Sequence, residues 1–272
     1  MPELPEVETI VRGLAAALPG RRIEKVEVLR PDLIEHESAA SFAKALRGRR
    51  VVDVSRRAKN IAISLDDDER LMVNLGMTGN LMACPAGSMT PSHLGVRMRL
   101  DGGQELLYND SRRFGRLWRL DRAGWREFDA RLGVEPLSRG FTGKRVHEMA
   151  EASRVAVKTW LMDQARIVGV GNIYASEALF RARIDPRRPA DTLALAESGR
   201  LARGVREVLR EAIDFRGTTL LDYRDADGNS GEFAKRLRVY DREGEPCLRC
   251  GRPIQRIVQA NRSTFFCPRC QR

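Results

Sequence analysis

Two cysteine pairs restrict this chain more than any other feature: Cys247-Leu248-Arg249-Cys250 and, sixteen residues on, Cys267-Pro268-Arg269-Cys270. Two residues between cysteines let both sulfurs turn onto one ion, and zinc takes four thiolates at about 2.3 Å in a tetrahedron. Pro246 before the first knuckle and Gly251 after it suit tight turns, and the alternation in Ile254-Gln255-Arg256-Ile257-Val258 predicts a hairpin between the pairs. Disulfides or a redox pair fit badly. No thioredoxin-like βαβ pattern surrounds the cysteines, no basic-then-apolar leader opens the chain, and no apolar run approaches the ~18 residues of a membrane helix. These readings lead to the expectation of a soluble, cytoplasmic protein with reduced thiols and one structural Zn2+ on Cys247, Cys250, Cys267 and Cys270. Four protein ligands leave that ion no open position for catalysis. Cys84 stands alone and reads as a small hydrophobe.

A hairpin of this size has no core of its own, so its charge is for display. Lys and Arg number 48 against 37 Asp and Glu, a net +11, and only 6 of the basic residues are lysine. A GC-rich genome explains an arginine bias but not a net charge. Residues 235–272 hold 10 basic and 3 acidic residues, +7 before any thiolate is counted. Guanidinium forks donate in pairs to phosphate oxygens, so the charge points to a nucleic-acid partner.

The rest of the chain changes period once. Leu4, Val7, Ile10 or Val11, Leu14 and Leu18 fall at helical spacing, and Pro19-Gly20 stops them. From about 21 to 125 the pattern alternates, with a short helix near 38–47 and a hairpin around Asp101-Gly102-Gly103. This predicts a β-rich domain over 1–125, sandwich or barrel. Gly133, Pro136 and Gly140 mark a linker over 126–140. Helical spacing returns at roughly 142–151, 154–163, 172–182 and 191–215, giving a helical domain over 141–234 before the cysteine module of 235–272.

Pro2 directly follows the initiator methionine, which is normally removed before a small residue and would leave a secondary amine as the first atom. Such an amine can attack a sugar C1′ and form an iminium, with Glu3 beside it to move protons. Taken alone, an ordinary proline before a helix explains the same residues.

The words around Pro2 change that balance. Met1-Pro2-Glu3-Leu4-Pro5-Glu6-Val7-Glu8-Thr9 closely resembles the opening of bacterial formamidopyrimidine-DNA glycosylases. The resemblance continues through Arg56-Arg57-Ala58-Lys59, Leu75-Gly76-Met77-Thr78-Gly79 and Asp110-Ser111-Arg112-Arg113-Phe114-Gly115. It resumes in Leu161-Met162-Asp163-Gln164, Val170-Gly171-Asn172-Ile173-Tyr174-Ala175-Ser176-Glu177 and Gly217-Thr218-Thr219-Leu220, and ends in the four-cysteine finger. The motifs run in the family's order along the whole chain.

The resemblance implies an α+β multidomain fold: an N-terminal helix plus a two-layered β-sandwich, then a helix-two-turn-helix domain with a C-terminal zinc-ribbon hairpin. It implies excision of oxidised purines from damaged double-stranded DNA, followed by strand cleavage at the abasic site, by a monomer with no membrane partner. Residue by residue, it implies Pro2 as nucleophile and Glu3 as general acid/base. Lys59 would serve near the phosphate in β-elimination, and Arg262 in δ-elimination and phosphate contact. Met77, Arg112 and Phe114 match the wedge that fills the gap left by an everted nucleotide, which suits their chemistry: two groups replace lost stacking and a guanidinium can pair with the orphaned base. His93, Arg154, Lys158 and Asn172, with Arg112, match DNA-contacting positions, and the stretch from Thr218 to about Lys235 resembles the loop that closes over the everted base.

Two positions depart from the family pattern. Asn74 stands where a His usually precedes Leu-Gly-Met, and Gly95 where a second His often follows His93. Both bear on affinity and damage preference more than on reaction type. Two other readings compete. An endonuclease VIII-type glycosylase for oxidised pyrimidines usually has Gly at the fourth position and lacks the wedge pair Arg112 and Phe114. A non-catalytic DNA-binding paralogue would have no need to keep Pro2, Glu3 and Lys59.

Overall fold

The structure is a computed structural model that describes residues 2–218 and 231–272. By contacts the chain divides into two units, one of residues 1–130 and 215–232, the other of 131–214 and 233–272. The cysteine module and the helices therefore group as one body, while the sequence reading set a boundary between them near 235.

In the first unit the helical spacing of the opening residues becomes α1 (Leu4–Ala17), whose buried stripe is Leu4, Val7, Ile10, Val11 and Leu14. Eight strands follow among the described residues: β1 (Ile23–Val28), β2 (Val51–Arg57), β3 (Asn60–Leu65), β4 (Arg70–Asn74), β5 (Asn80–Pro85), β6 (Leu94–Leu100), β7 (Gln104–Asn109) and β8 (Arg116–Leu120). They form two antiparallel four-stranded sheets, β1-β6-β7-β5 and β2-β3-β4-β8. Alternating side chains of both sheets meet in one core, where Ile61, Ile63, Leu71 and Val73 join Leu81, Val96, Met98 and Leu106. Each such side chain stabilises the fold by about 1.5–3 kcal/mol relative to exposure. The expected hairpin is β6–β7, turning through Asp101–Gly103. The expected short helix is α2 (Ala39–Leu46), where the Ser38 hydroxyl accepts from Ser41 N at 3.1 Å.

The start of the expected linker needs correcting. Residues 126–130, read as the start of a linker, complete a helix, α3 (Arg122–Ala130). It buries no residue fully, so it lacks the apolar stripe that reveals a helix in sequence. It is held by Trp125 and Phe128, one turn apart, packing on Trp118.

The second unit contains α4 (Gly143–Glu151), α5 (Val157–Leu161), α6 (Asn172–Ala182) and α7 (Leu195–Asp214), then the hairpin β9 (Gln255–Gln259) and β10 (Arg262–Phe266). Helix α7 packs on both α4 and α6. The helix expected over 154–163 is shorter because Ala156 is extended and bridges Pro189. The last helix begins at Leu195, after a 3-10 turn over Ala190–Thr192. Phe180 of α6 shares a core with Val239, Ile254, Phe265, Cys247 and Cys267. The hairpin thus borrows its core from the helices, as its size demands. No described helix is long and apolar enough to cross a membrane.

Candidate active site and nucleic-acid interface

Pro2 and Glu3 are buried at the start of α1. Glu3 and Glu6 form a reciprocal capping box, in which Glu3 N donates to Glu6 Oε2 at 2.8 Å. The other oxygen, Glu6 Oε1, accepts from Thr218 N at 2.7 Å. One buried carboxylate therefore fixes the backbone beside Pro2 and the point where the expected loop of Thr218–Lys235 departs. Residues 219–230 of that loop lie outside the described residues.

Lys59 occupies the two-residue turn between β2 and β3, with Arg57 paired to Asn60 across it. Ala58, the other turn residue, has φ 56°, a left-handed conformation that costs a non-glycine residue about 1 kcal/mol. Arg56 braces the turn: its Nη1 donates to Ala58 O at 2.9 Å and its Nε to Glu8 Oε2 of α1 at 3.0 Å. The lysine turn is thereby tied to the helix that begins at Pro2 and Glu3.

Met77, Arg112 and Phe114 come together from two loops, β4–β5 and β7–β8. Asp110, 2% exposed, organises both. Its Oδ1 accepts from the Thr78 hydroxyl and from Arg112 N, its Oδ2 from Gly115 N at 2.8 Å and the Tyr108 hydroxyl at 3.4 Å. Burial, then the carboxylate beside it, push the Tyr108 hydroxyl well above its ordinary range, so it stays a donor. The loops touch through backbone: a Cβ on Gly76 (φ 58°) would sit 2.5 Å from Gly115 N, and one on Gly115 would strike the Tyr108 hydroxyl. On this rigid base Met77 and Phe114 are 41% and 54% exposed, and the Arg112 guanidinium lies 4.6 Å from the Phe114 ring centroid. His93 is exposed nearby in the chain, its N–H donating to Asn109 Oδ1 and its carbonyl accepting from Asp110 N.

In the second unit Asn172 is the first residue of α6 after Gly171. Its Oδ1 accepts from Lys158 Nζ, and its Nδ2 donates to Ser263 O at 3.0 Å. Lys158, expected among the DNA contacts, is 1% exposed and also donates to Thr264 Oγ1 at 2.7 Å and Ser263 O at 3.1 Å. Its ammonium locks Asn172 to β10 from below the surface. Arg154 projects into solvent, its side chain 95% exposed. Arg262, also exposed, lies beside the hairpin turn Ala260-Asn261, both residues left-handed. With Lys158, Trp160 and Gln259 it lines a cavity of about 370 Å³.

Sequence assigns no role to three carboxylates and one amide with structural consequences, Glu6, Asp110, Glu177 and Asn60, and marks Asn74 as a departure from the family's usual His. Glu177, fully buried in α6, accepts from the N–H groups of Arg238, Val239 and Tyr240 at 2.9–3.0 Å. Burial pushes its carboxyl up, against the pull of those donors. The Glu-x-x-Glu spacing of a capping box was the available signal for Glu6.

The four cysteine sulfurs lie within 4.8 Å of one another, with Cys250–Cys267 at 3.5 Å and Cys247–Cys270 at 4.0 Å. A tetrahedron with zinc–sulfur bonds of about 2.3 Å has edges of about 3.8 Å. The donor set and spacing fit one structural zinc. Gln271 braces this end, accepting from Cys267 N and donating to Ile184 O.

A buried Pro-Glu helix start on a β-sandwich, two loops presenting exposed Met77, Arg112 and Phe114, and helices sharing a core with a four-cysteine ribbon fit a zinc-ribbon DNA glycosylase. Comparison with known proteins agrees. Residues 1–117 match the formamidopyrimidine-DNA glycosylase N-terminal domain, 132–223 its H2TH domain, and 244–272 the zinc finger found in FPG and IleRS. The formamidopyrimidine-DNA glycosylase of Herpetosiphon aurantiacus is 45% identical over the full length of both chains. The MutM (Fpg) crystal structure from Thermus thermophilus superposes with TM-score 0.88 at 42% identity, covering 99% of this chain and 98% of that one. Lactococcus lactis Fpg bound to Fapy-dG-containing DNA superposes with TM-score 0.91 at 31% identity, covering 99% of each. The chain belongs to the formamidopyrimidine-DNA glycosylase family.

Proposed function

We propose that this protein is a bifunctional glycosylase and abasic-site lyase that removes oxidised purines, 8-oxoguanine and formamidopyrimidines, from duplex DNA. The observation that carries this is the wedge: exposed Met77, Arg112 and Phe114 stand on two loops whose shared support, Asp110, is buried and fully hydrogen-bonded. Exposed apolar side chains on so rigid a base suit insertion into a base stack.

Each step then has a group to perform it. The Pro2 nitrogen, freed by removal of Met1, donates its lone pair to C1′ of the damaged nucleotide. The C1′–N9 bond breaks, its electron pair leaves with the base, and the base takes up a proton. The nitrogen loses its proton and its lone pair expels O4′, which takes the C1′–O4′ electron pair and a proton, giving the iminium that acidifies C2′. Loss of a C2′ proton expels the 3′ phosphate, and a second elimination expels the 5′ phosphate. Glu3 moves protons at the sugar, Lys59 serves the first elimination and Arg262 the second. His93, Arg154 and Asn172 meet the DNA backbone, with Lys158 holding Asn172. The zinc takes no part in these steps, because four thiolates fill its coordination. The protein acts as a monomer.

The test is borohydride trapping of N-terminally processed protein on duplex carrying 8-oxoguanine opposite cytosine. An iminium is reducible, so a covalent adduct mapping to Pro2 by peptide mass is expected, and Pro2→Gly should weaken it. An adduct on a lysine would reassign the nucleophile. Trapping only on oxidised pyrimidines would favour the endonuclease VIII-type reading, and no adduct on any lesion a non-catalytic one.

A further inference from the structure

Asn60 and Asn74 face each other directly across β3 and β4. Asn74 Nδ2 donates to Asn60 Oδ1 at 2.8 Å. Each amide also closes its own turn. Asn60 Nδ2 donates to Arg57 O at 3.3 Å, across the turn that bears Lys59. Asn74 Oδ1 accepts from Gly76 N at 2.9 Å, an Asx turn that sets the left-handed residue immediately before Met77. Asn60 is 8% exposed, so the amide–amide bond is shielded from water. The result is an unbroken relay: Arg57 carbonyl, Asn60 amide, Asn74 amide, Gly76 N–H.

We propose that the Asn60–Asn74 amide pair is a positioning element that fixes the Lys59 turn relative to the Met77 turn, so that wedge insertion and the lyase step depend on each other. This rests on the roles given above to Lys59 and Met77. The chemistry favours coupling over two independent caps. A primary amide offers one acceptor and one donor edge, and at both residues one edge serves the local turn while the other serves its partner. Rotating either amide to suit one contact breaks the other. Asn74 is thus engaged inside the protein, where a side chain at the family's usual His position would be expected to face a phosphate. Two neutral amides also keep the link unchanged across physiological pH, which a histidine with a pKa near about 6.5 would not do.

The experiment is a double-mutant cycle with two readouts. Fluorescence of 2-aminopurine placed opposite an abasic site reports wedge insertion, and strand cleavage at a preformed abasic site reports the lyase step. Asn60→Ala and Asn74→Ala should each depress both readouts by about fivefold, the worth of one shielded hydrogen bond. The double variant should fall little further than either single one. Asn74→Asp keeps the acceptor for Gly76 N but loses the donor to Asn60, so it breaks the link alone and should depress both readouts as the alanine variants do. Asn60→Asp, nearly isosteric, guards against loss of fold: it retains the acceptor for Asn74, loses the donor to Arg57 O, and, by cutting the relay at that end, should depress both readouts. Wild-type trapping on 8-oxoguanine duplex is run in parallel. If wild type fails to trap, the reading of the site falls. If wild type traps but the two alanine effects simply multiply, or each touches only its own readout, the coupling proposed here is wrong.

Discussion

Replacing Asp110 by asparagine tests the wedge architecture with almost no change of shape. The carboxylate serves one backbone N–H with each oxygen, Arg112 N at Oδ1 and Gly115 N at Oδ2. The hydroxyls of Thr78 and Tyr108 also donate to it, one at each side. An amide in the same place has one oxygen. With its oxygen toward Gly115 N, the amide sets its NH2 beside Arg112 N–H and the Thr78 hydroxyl, and Arg112 N–H keeps its second acceptor, Thr78 Oγ1 at 3.1 Å. A hydroxyl can rotate to accept from the amide, but a backbone N–H cannot. Exchanging hydrogen bonds to a charge for hydrogen bonds to a neutral amide, with one N–H facing the NH2, costs about 1–3 kcal/mol, and Asp110→Ala, which also takes the acceptor from Gly115 N, should cost more. Urea denaturation should show a drop of about 2 kcal/mol for Asp110→Asn. The loops bearing Met77 and Phe114 would also separate, so base release from 8-oxoguanine duplex should slow more than about tenfold. Unfolding within about 0.5 kcal/mol of wild type together with unchanged base release would refute the claim that this carboxylate holds the wedge.

Legibility in the sequence followed how local the cause was. The cysteine pairs and the β6–β7 hairpin were readable because spacing and turn chemistry act over a few residues. The wedge role proposed for Met77, Arg112 and Phe114 comes only through resemblance, since exposed Met77 and Phe114 look like core in a one-dimensional pattern. The buried carboxylates left little trace in sequence beyond the capping-box spacing of Glu6, and for one reason. Asp110, Glu6 and Glu177 spend their oxygens largely on backbone N–H groups, which every residue type but proline supplies. Glu6 reaches Thr218, 212 residues away. Lys158 is the converse case: the resemblance places it at DNA, but Asn172 Oδ1, Ser263 O and Thr264 Oγ1 accept from its ammonium, the last two from more than 100 residues away. Helix α3 was missed because its two packing residues, Trp125 and Phe128, make a stripe too short to register.

Electrostatics and metal content give two further tests. Arg188 holds Glu197 by hydrogen bonds at 2.7 and 2.9 Å and lowers its carboxyl below the ordinary 4.5. A depressed folded pKa contributes stability above the unfolded value and loses it as pH falls through the folded one, so Glu197→Gln should cost about 1 kcal/mol at pH 7 and nothing near about pH 2. An equal effect at both pH values in thermal melts would contradict this. Metal removal should separate binding from stability. Elemental analysis is expected to find one zinc per chain, and chelation should lower affinity for duplex before the sandwich unfolds. The path is specific: Cys247 and Cys267 share a core with Phe265 of β10, and β10 presents Ser263 O and Thr264 Oγ1, which hold Lys158 and Asn172. Loss of the ion loosens that strand, releases the Asn172 amide from its fixed orientation and frees the hairpin turn that carries Arg262. The core of Ile61, Val73 and Leu106 contains no cysteine ligand and keeps its own transition. Metal-free protein that binds duplex as tightly as the zinc form would show that the ribbon does not hold this surface in place.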